Sequence, residues 1–566
     1  MRLVAEFRPA ILAPMSAAGR SRTLRRIVFL SGPGLLVAAT LAFGRGARLP
    51  RADCAFVNGA EPATLDPAVI TAIPEGRIVR ALFEGLVVRD PRTLEPRPGM
   101  AESWDEAPDG LAWTFHLRRG ARWTNGDPVT ADDFEFSFER LLDPRTGAAY
   151  ASQLFCVSGA RAFATDVDER GAPRRSFETV GIRARADALE IRLDRPVPRF
   201  LDLLACPQFS PVNRRCLEES RARDPDTAEI GWLRPDHLVT NGPFRLLERR
   251  PNDRIRLAKN HGYWDADHVA FETIDALAAE HLSTIVNLYL TGEVAWIDQQ
   301  PADLAVRLAR REDFHSAPYL GTYFYRVNVA RPPFDDPRVR RALALAIDRS
   351  AIVQRVTRAG EQPLYACVPP AMPAWSGASM EHAARFEEDL VEARRLLAEA
   401  GFGPGGRVLR PISIQYNTRE SHKDVAEVIA DSWSRNLGIR ARLENQEWRV
   451  FLDTQRRMDY DVSRSSWIAD TADPYGFLEI FTTRNDNNRT GWSDPRYDES
   501  IARAARAVEP ERSEALLEAE RILLAELPIL PIYGYATKNL VDPRLGGFFE
   551  NPLDEHTPKA WYWKDR

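Results

Sequence analysis

Short alternating runs and amphipathic helical runs follow one another along this chain in no fixed order, and no period of roughly 20–50 residues repeats. That pattern argues against a solenoid, a bundle or a barrel and points to mixed α/β lobes. Trp113, Phe115 and Leu117 alternate, as do Ile412, Ile414 and Tyr416, so both runs are expected as strands. Two alternating runs near 244–259 are separated by Pro251, Asn252 and Asp253, which reads as a hairpin. Thr130, followed by Asp132 and Asp133, opens a helix with Phe134, Phe138 and Leu141 on one face. Asp335 and Asp336 ahead of Pro337 open another. Helices are expected over 387–400, stopped by Gly401, and from about 421 to a stop at Gly438. At 566 residues, and roughly 100–200 residues per domain, one core is not enough.

Charge and motifs narrow the function classes. The net charge of −5 gives no basic surplus for phosphate backbones, so nucleic acid is not an expected partner. No GxxxxGK[ST], GxSxG or HExxH occurs, and the nine histidines form no i, i+4 pair. No cofactor or metal is expected, and no catalytic pair of carboxylates stands out. Gly401, Gly403 and Gly406 spell GxGxxG, but after a helix and before a strand, the reverse of the order a dinucleotide site requires. The acid pairs at 132–133 and 335–336 sit where helix caps explain them. Five cysteines include no CxxC; Cys206 and Cys216 flank a loop and are equally readable as a bridge or as two free thiols.

Residues 1–50 read as an export signal or membrane anchor. Arg20, Arg22, Arg25 and Arg26 precede an apolar run from Ile27 to Phe43. Gly32, Pro33 and Gly34 interrupt the run, and arginines at 45, 48 and 51 follow it, so cleavage and uncleaved anchoring both stay open. Met15 would give a more usual leader than Met1.

The stretch 444–474 carries the densest mixture of chemistry. It holds Trp448, Trp467, Asp470 and Arg464. Flat apolar surface beside one negative and one positive group suits a cleft for a zwitterionic chain. By spacing alone, the plainer expectation is a strand, a turn and a second strand, with core tryptophans and a solvated Asp470.

Several strings are more particular. EPATLDP, LFEGLVVRD, AESWDEAPDGLAWTFHLRRGARWTNGDPVTADDFEFSFERLLDP, NGPFRLLE, LAKNHGYWD, PPFDDPRVRRALALAIDR and GWSDPRYD occur in this order. They resemble the peptide-binding family 5 solute-binding proteins of bacterial ABC importers, over about 54–563. The resemblance implies an α/β, two-lobed periplasmic binding protein, type II-like, with an additional inserted domain. It implies a first lobe over 54–85, 205–322 and 533–566, an inserted domain over 86–204 and a second lobe over 323–532. The strand TYFYRVN and the segment PIYGY would be the crossovers about which the lobes close. It also implies a periplasmic or otherwise exported monomer that is not an enzyme, with an oligopeptide ligand and a membrane permease as partners.

YNTRESHKDVAEVIADSW, NQEW and DVSRSSWIADTADP resemble the oligopeptide-binding branch. The resemblance implies that Asp470 pairs with the peptide's α-ammonium and that Trp448 and Trp467 line side-chain pockets. Arg464 and His422 match positions that meet the peptide's carboxylate. Thr471 stands where the branch usually has Tyr, Ile468 where it sometimes has Cys, and Thr71 where an acid is often seen, which bears on preferred length and side chains. Alternatives are the same fold with a murein peptide, a sugar or a metal chelate, or a peptidase on this scaffold.

Overall fold

The alternating tyrosines of TYFYRV lie in a ten-residue strand, Pro318–Val327, buried from Leu320 onward. A strand buried on both faces belongs in the middle of a covered sheet. The computed structural model describes residues 50–224, 228–373, 375–377, 386–403, 406–469 and 471–565. In it Pro318–Val327 pairs antiparallel with Val462–Ile468 on one side and Ile529–Ala536 on the other. Gln362–Pro363 extends the sheet beyond Ile529–Ala536, and Ile412–Asn417 and Ala441–Gln446 extend it beyond Val462–Ile468.

Period two sorts this strand's side chains to opposite faces. Tyr323 and Tyr325 pack with Val339, Leu343, Ile414, Ile429 and Trp433 on one face. Leu320 and Phe324 pack with Phe477, Phe481, Leu516 and Leu523 on the other. The helices Pro337–Leu345 and Glu420–Leu437 cover the first face, with Asp336 capping the former and Gly438, at φ +68°, ending the latter. Glu511–Glu526 helps cover the second.

The stretch 444–474 departs from the strand–turn–strand expectation. A helix, Trp448–Arg456, lies between Ala441–Gln446 and Val462–Ile468. Topology requires it. Both strands run parallel to Ile412–Asn417, one on each side of it, and two strands that run the same way need a crossover that a tight turn cannot supply. Glu447 caps the helix by accepting from the amides of Arg449 and Val450.

A seven-stranded sheet is assembled from distant segments: Phe314–His315, Asn539–Val541, Trp296–Ile297, Cys54–Gly59, Thr273–Ala278, Arg254–Lys259 and Phe244–Arg250, in that order. The hairpin at 251–253 forms as its turn residues demand, with Asn252 at φ +58°. A four-stranded antiparallel sheet, Ala101–Glu106, Ala112–Leu117, Ala188–Arg192 and Ile182–Arg185, packs on the helix Ala131–Leu142. Its core residues Phe115 and Phe134 belong to one continuous cluster with Phe56 and Phe244 of the seven-stranded sheet.

All five cysteines are buried thiols, with no disulfide among them. Arg89 donates to the Cys206 sulfur at 3.3 Å, while Cys216 donates to the carbonyl of His237 at 3.2 Å, so the two thiols answer to different partners. Gly401 and Gly403 take φ of +83° and +102° and close the helix Phe386–Glu399, a helix-ending role. The apolar run Ile27–Phe43 lies outside the described residues. Among those described, no helix is long and apolar enough to cross a membrane.

Candidate functional site

The carboxyl ends of parallel strands are where α/β sheets place ligands. Here Ile412–Asn417, Ala441–Gln446 and Val462–Ile468 end on one side of the six-stranded sheet. Past that end, Ile468 and Ala469 face Ile73, Arg77, Leu553, Glu555 and His556 across a cavity of about 140 Å³. The second group comes from the helix Ile73–Leu82 and the carboxyl-terminal segment. The cavity therefore lies between the two larger sheet assemblies.

Register fixes the side chains deeper in the six-stranded sheet. Tyr325 lies opposite Arg464, and Thr322 opposite Trp467. Tyr323 lies opposite Tyr533, with ring centroids 4.5 Å apart and the rings stacked nearly parallel. Tyr535 is two residues on, on the same face, 6.2 Å from Tyr323. The Arg464 guanidinium sits 4.7 Å from the Tyr323 ring centroid and donates to the Tyr535 hydroxyl at 3.1 Å. Gly321 makes this closeness possible, since a Cβ there would meet the Tyr535 ring at 2.8 Å.

Arg464 is 8% exposed, its Nε has no acceptor, and no carboxylate among the described residues pairs with it. A buried guanidinium without a counter-ion is costly unless an anion arrives. His422 is buried beside it, sharing a hydrogen bond between Nδ1 and the Tyr323 hydroxyl at 3.2 Å. Burial, reinforced by the charges of Arg464 and Arg419, pushes the His422 imidazole down to about 3, so it is neutral at pH 7. Burial also pushes the Tyr323 phenol up to about 12, so it stays a neutral hydroxyl.

Behind Arg464 runs a chain of neutral groups. Gln455 donates to the Arg464 carbonyl at 2.8 Å and to the Ser463 hydroxyl at 2.9 Å. Ser463 donates to Gln415 at 2.7 Å, and Gln415 to Gln446 at 2.6 Å. These contacts hold the strand ends rigid without supplying any negative charge.

Of the residues singled out in the sequence, the structure brings Arg464 and His422 together on Tyr323. Trp467 is partly buried near the end of Val462–Ile468. Trp448, read above as a core tryptophan on the plainer view, opens its helix half exposed and stacks on Phe451 at 5.8 Å. Thr471 is partly buried, and its carbonyl accepts from the Asp473 amide at 2.9 Å. Asp470 lies outside the described residues. The tyrosines at 323, 533 and 535 and the amide of Gln455 were not singled out. Their signal was in the sequence, since TYFYRVN and PIYGY both carry tyrosines two residues apart. Among the described residues, no group of three or more His, Cys, Asp or Glu is placed to hold a metal ion.

The model of the bacterial extracellular solute-binding proteins, family 5 Middle, matches residues 95–489. The chain belongs to this family. The two-lobed α/β periplasmic binding-protein fold of the family 5 proteins accommodates the sheets described above. The periplasmic oligopeptide-binding protein OppA of Salmonella typhimurium is 36% identical over 517 residues, covering 89% of this chain and 91% of that protein. The unliganded open form of the murein tripeptide-binding protein MppA superposes with a TM-score of 0.76 at 32% identity, covering 90% of this chain and 98% of that one. Haemophilus influenzae OppA in complex with the peptide RPPGFSPFR gives a TM-score of 0.71 at 31% identity, covering 90% of this chain and 98% of that one.

Proposed function

We propose that this family 5 protein is the exported receptor of an ABC importer, binding oligopeptides between its lobes and delivering them to a membrane permease. Full-length similarity to peptide-binding relatives supports the ligand class. The observation that carries the reading at the site is Arg464, a buried cation with no carboxylate partner among the described residues, held beside neutral His422. A peptide carboxylate is the missing anion. With Nδ1 of His422 accepting from Tyr323, its Nε2 carries the proton and is a second donor to that carboxylate.

Asp470 is the partner for the α-ammonium, which needs an opposite charge once taken out of water. The peptide main chain lies extended and bonds like an added strand, so that binding tolerates varied side chains. Trp448 and Trp467 are the walls of side-chain pockets, and Thr471 tunes which chains they accept. The lobes divide at 323 and 532, with 86–204 as the inserted domain, and the protein acts as a monomer in the periplasm. It returns its ligand intact and is not an enzyme.

Native mass spectrometry of the purified protein tests the ligand class, with retained masses in the oligopeptide range expected. A retained sugar or metal chelate would overturn the reading, as would cleavage of added peptide. Asp470→Asn is expected to cost on the order of 3–5 kcal/mol in affinity for free-amine peptides, by leaving the ammonium unpaired. N-acetylated peptides should bind poorly to both forms.

A further inference from the structure

The Val462 end of the Val462–Ile468 strand lies about 20 Å from Ile468 and the cavity it lines, and about 7 Å from Arg464, at ~3.3 Å per residue. At that far end Arg456, Arg484 and Arg489 line one groove of about 530 Å³, with Asp486 the acidic residue on its wall. No ion pair among the described residues engages any of the three. Three further acids nearby are already taken, Asp453 by Arg457, Asp459 by Arg331 and Asp494 by Arg496, which leaves Asp486 as the acid beside the groove.

The loop that carries two of these arginines is built rigidly. Asn488 donates to the carbonyls of Phe481 at 3.0 Å and Trp492 at 2.9 Å, and accepts from the Thr490 hydroxyl at 2.7 Å. Asn485 donates to the Glu479 carbonyl at 3.2 Å. Tyr460 donates to the Arg489 carbonyl. Arg326 backs the loop, 4% exposed, donating to the Asn487 carbonyl at 2.6 Å and to the Ser465 hydroxyl at 3.2 Å. It too has no ion pair among the described residues. Burial, with the charge of Arg489 added, holds its guanidinium down at about 10.

The asparagines are thus spent on the loop, Arg489 donates through Nε to the Asp486 carbonyl at 3.4 Å, and the three arginines line the groove without an ion pair among the described residues. Gathering like charges is unfavourable by itself, and preorganised donors bind an anion without the cost of ordering them. A tetrahedral oxyanion takes several guanidinium forks from different directions, whereas a planar carboxylate takes one or two. We propose that this groove binds a phosphate-bearing anion at a site separate from the peptide cleft. The shared chemistry has two sources, a soluble phosphate ester and a phospholipid headgroup.

The test uses the full chain and two variants, Arg484→Glu and the triple variant R456Q/R484Q/R489Q. Peptide affinity, expected unchanged in both, confirms that each is folded. Glycerol phosphate is titrated at constant ionic strength and followed by phosphorus NMR line broadening. Cosedimentation uses vesicles of phosphatidylglycerol with phosphatidylcholine, and of phosphatidylcholine alone to account for binding through residues 1–49. Binding of glycerol phosphate at least tenfold weaker in the variants supports the proposal with a soluble source. A loss confined to the phosphatidylglycerol vesicles supports it with a lipid source. Equal binding by native and variant proteins in both arms, or equal displacement by chloride, overturns it.

Discussion

At His422 the fold opposes protonation, since burial and then the charges of Arg464 and Arg419 hold its imidazole down at about 3, from an ordinary 6.5. The folded state therefore binds fewer protons than the unfolded chain between those values. Stability is full above about 6.5 and falls as pH drops toward 3, by about 1.4 kcal/mol per pH unit in that window. Urea melts at pH 7 and pH 4.5 should show the native protein losing roughly 2–3 kcal/mol more than His422→Gln. Equal losses would show that the imidazole is solvated. At pH 7 the same variant should weaken binding of free-carboxylate peptides and leave C-amidated peptides untouched, which calorimetry reads directly. Residue chemistry was only partly legible from sequence. Arg464 and His422 were recognisable by their strings, but nothing local announces that they converge on Tyr323, because the register of three strands decides it. Trp448 shows the converse. Its letter suggests a core residue, and its place at the start of a crossover helix leaves it half exposed.

Among the elements, the strand Pro318–Val327 sets the geometry of the site. Gly321 lets Tyr535 lie close enough to accept from Arg464. Gly321→Val should push that ring aside, at an overpacking cost of about 1–3 kcal/mol in stability. It should also weaken peptide binding by about tenfold, equivalent to about 1.4 kcal/mol. Unchanged affinity in a folded variant would mean that the Tyr535 contact does not position Arg464. Elements with strong local signals were readable in advance. The alternation at 113–117, the turn at 251–253, the Asp336–Pro337 start and the Gly438 stop all appear where local chemistry places them. The helix Trp448–Arg456 was not read, because its necessity is topological. Only the knowledge that both flanking strands run parallel to Ile412–Asn417 excludes a turn.

Over the whole molecule, the seven-stranded sheet gathers segments from residue 54 to residue 541, a pairing that no local pattern in the sequence encodes. Family-specific strings carried that information instead. Arg195 donates to the Ala505 carbonyl at 2.8 Å, joining the loop after Ala188–Arg192 to the carboxyl end of the helix Pro495–Ala504, where a cation is favoured. Arg195→Ala should raise the peptide dissociation rate about threefold, within the range of one lost hydrogen bond, as stopped-flow measurement would read. Peptide at about 100 times its dissociation constant should raise unfolding free energy by about 2.7 kcal/mol. The central claim is that a free-ended peptide fills the space between the lobes. Calorimetric titration of one tripeptide in its free, N-acetylated and C-amidated forms tests it most directly. Tight binding of the free form, with both blocked forms at least tenfold weaker, is the predicted result, and equal binding of all three would contradict it.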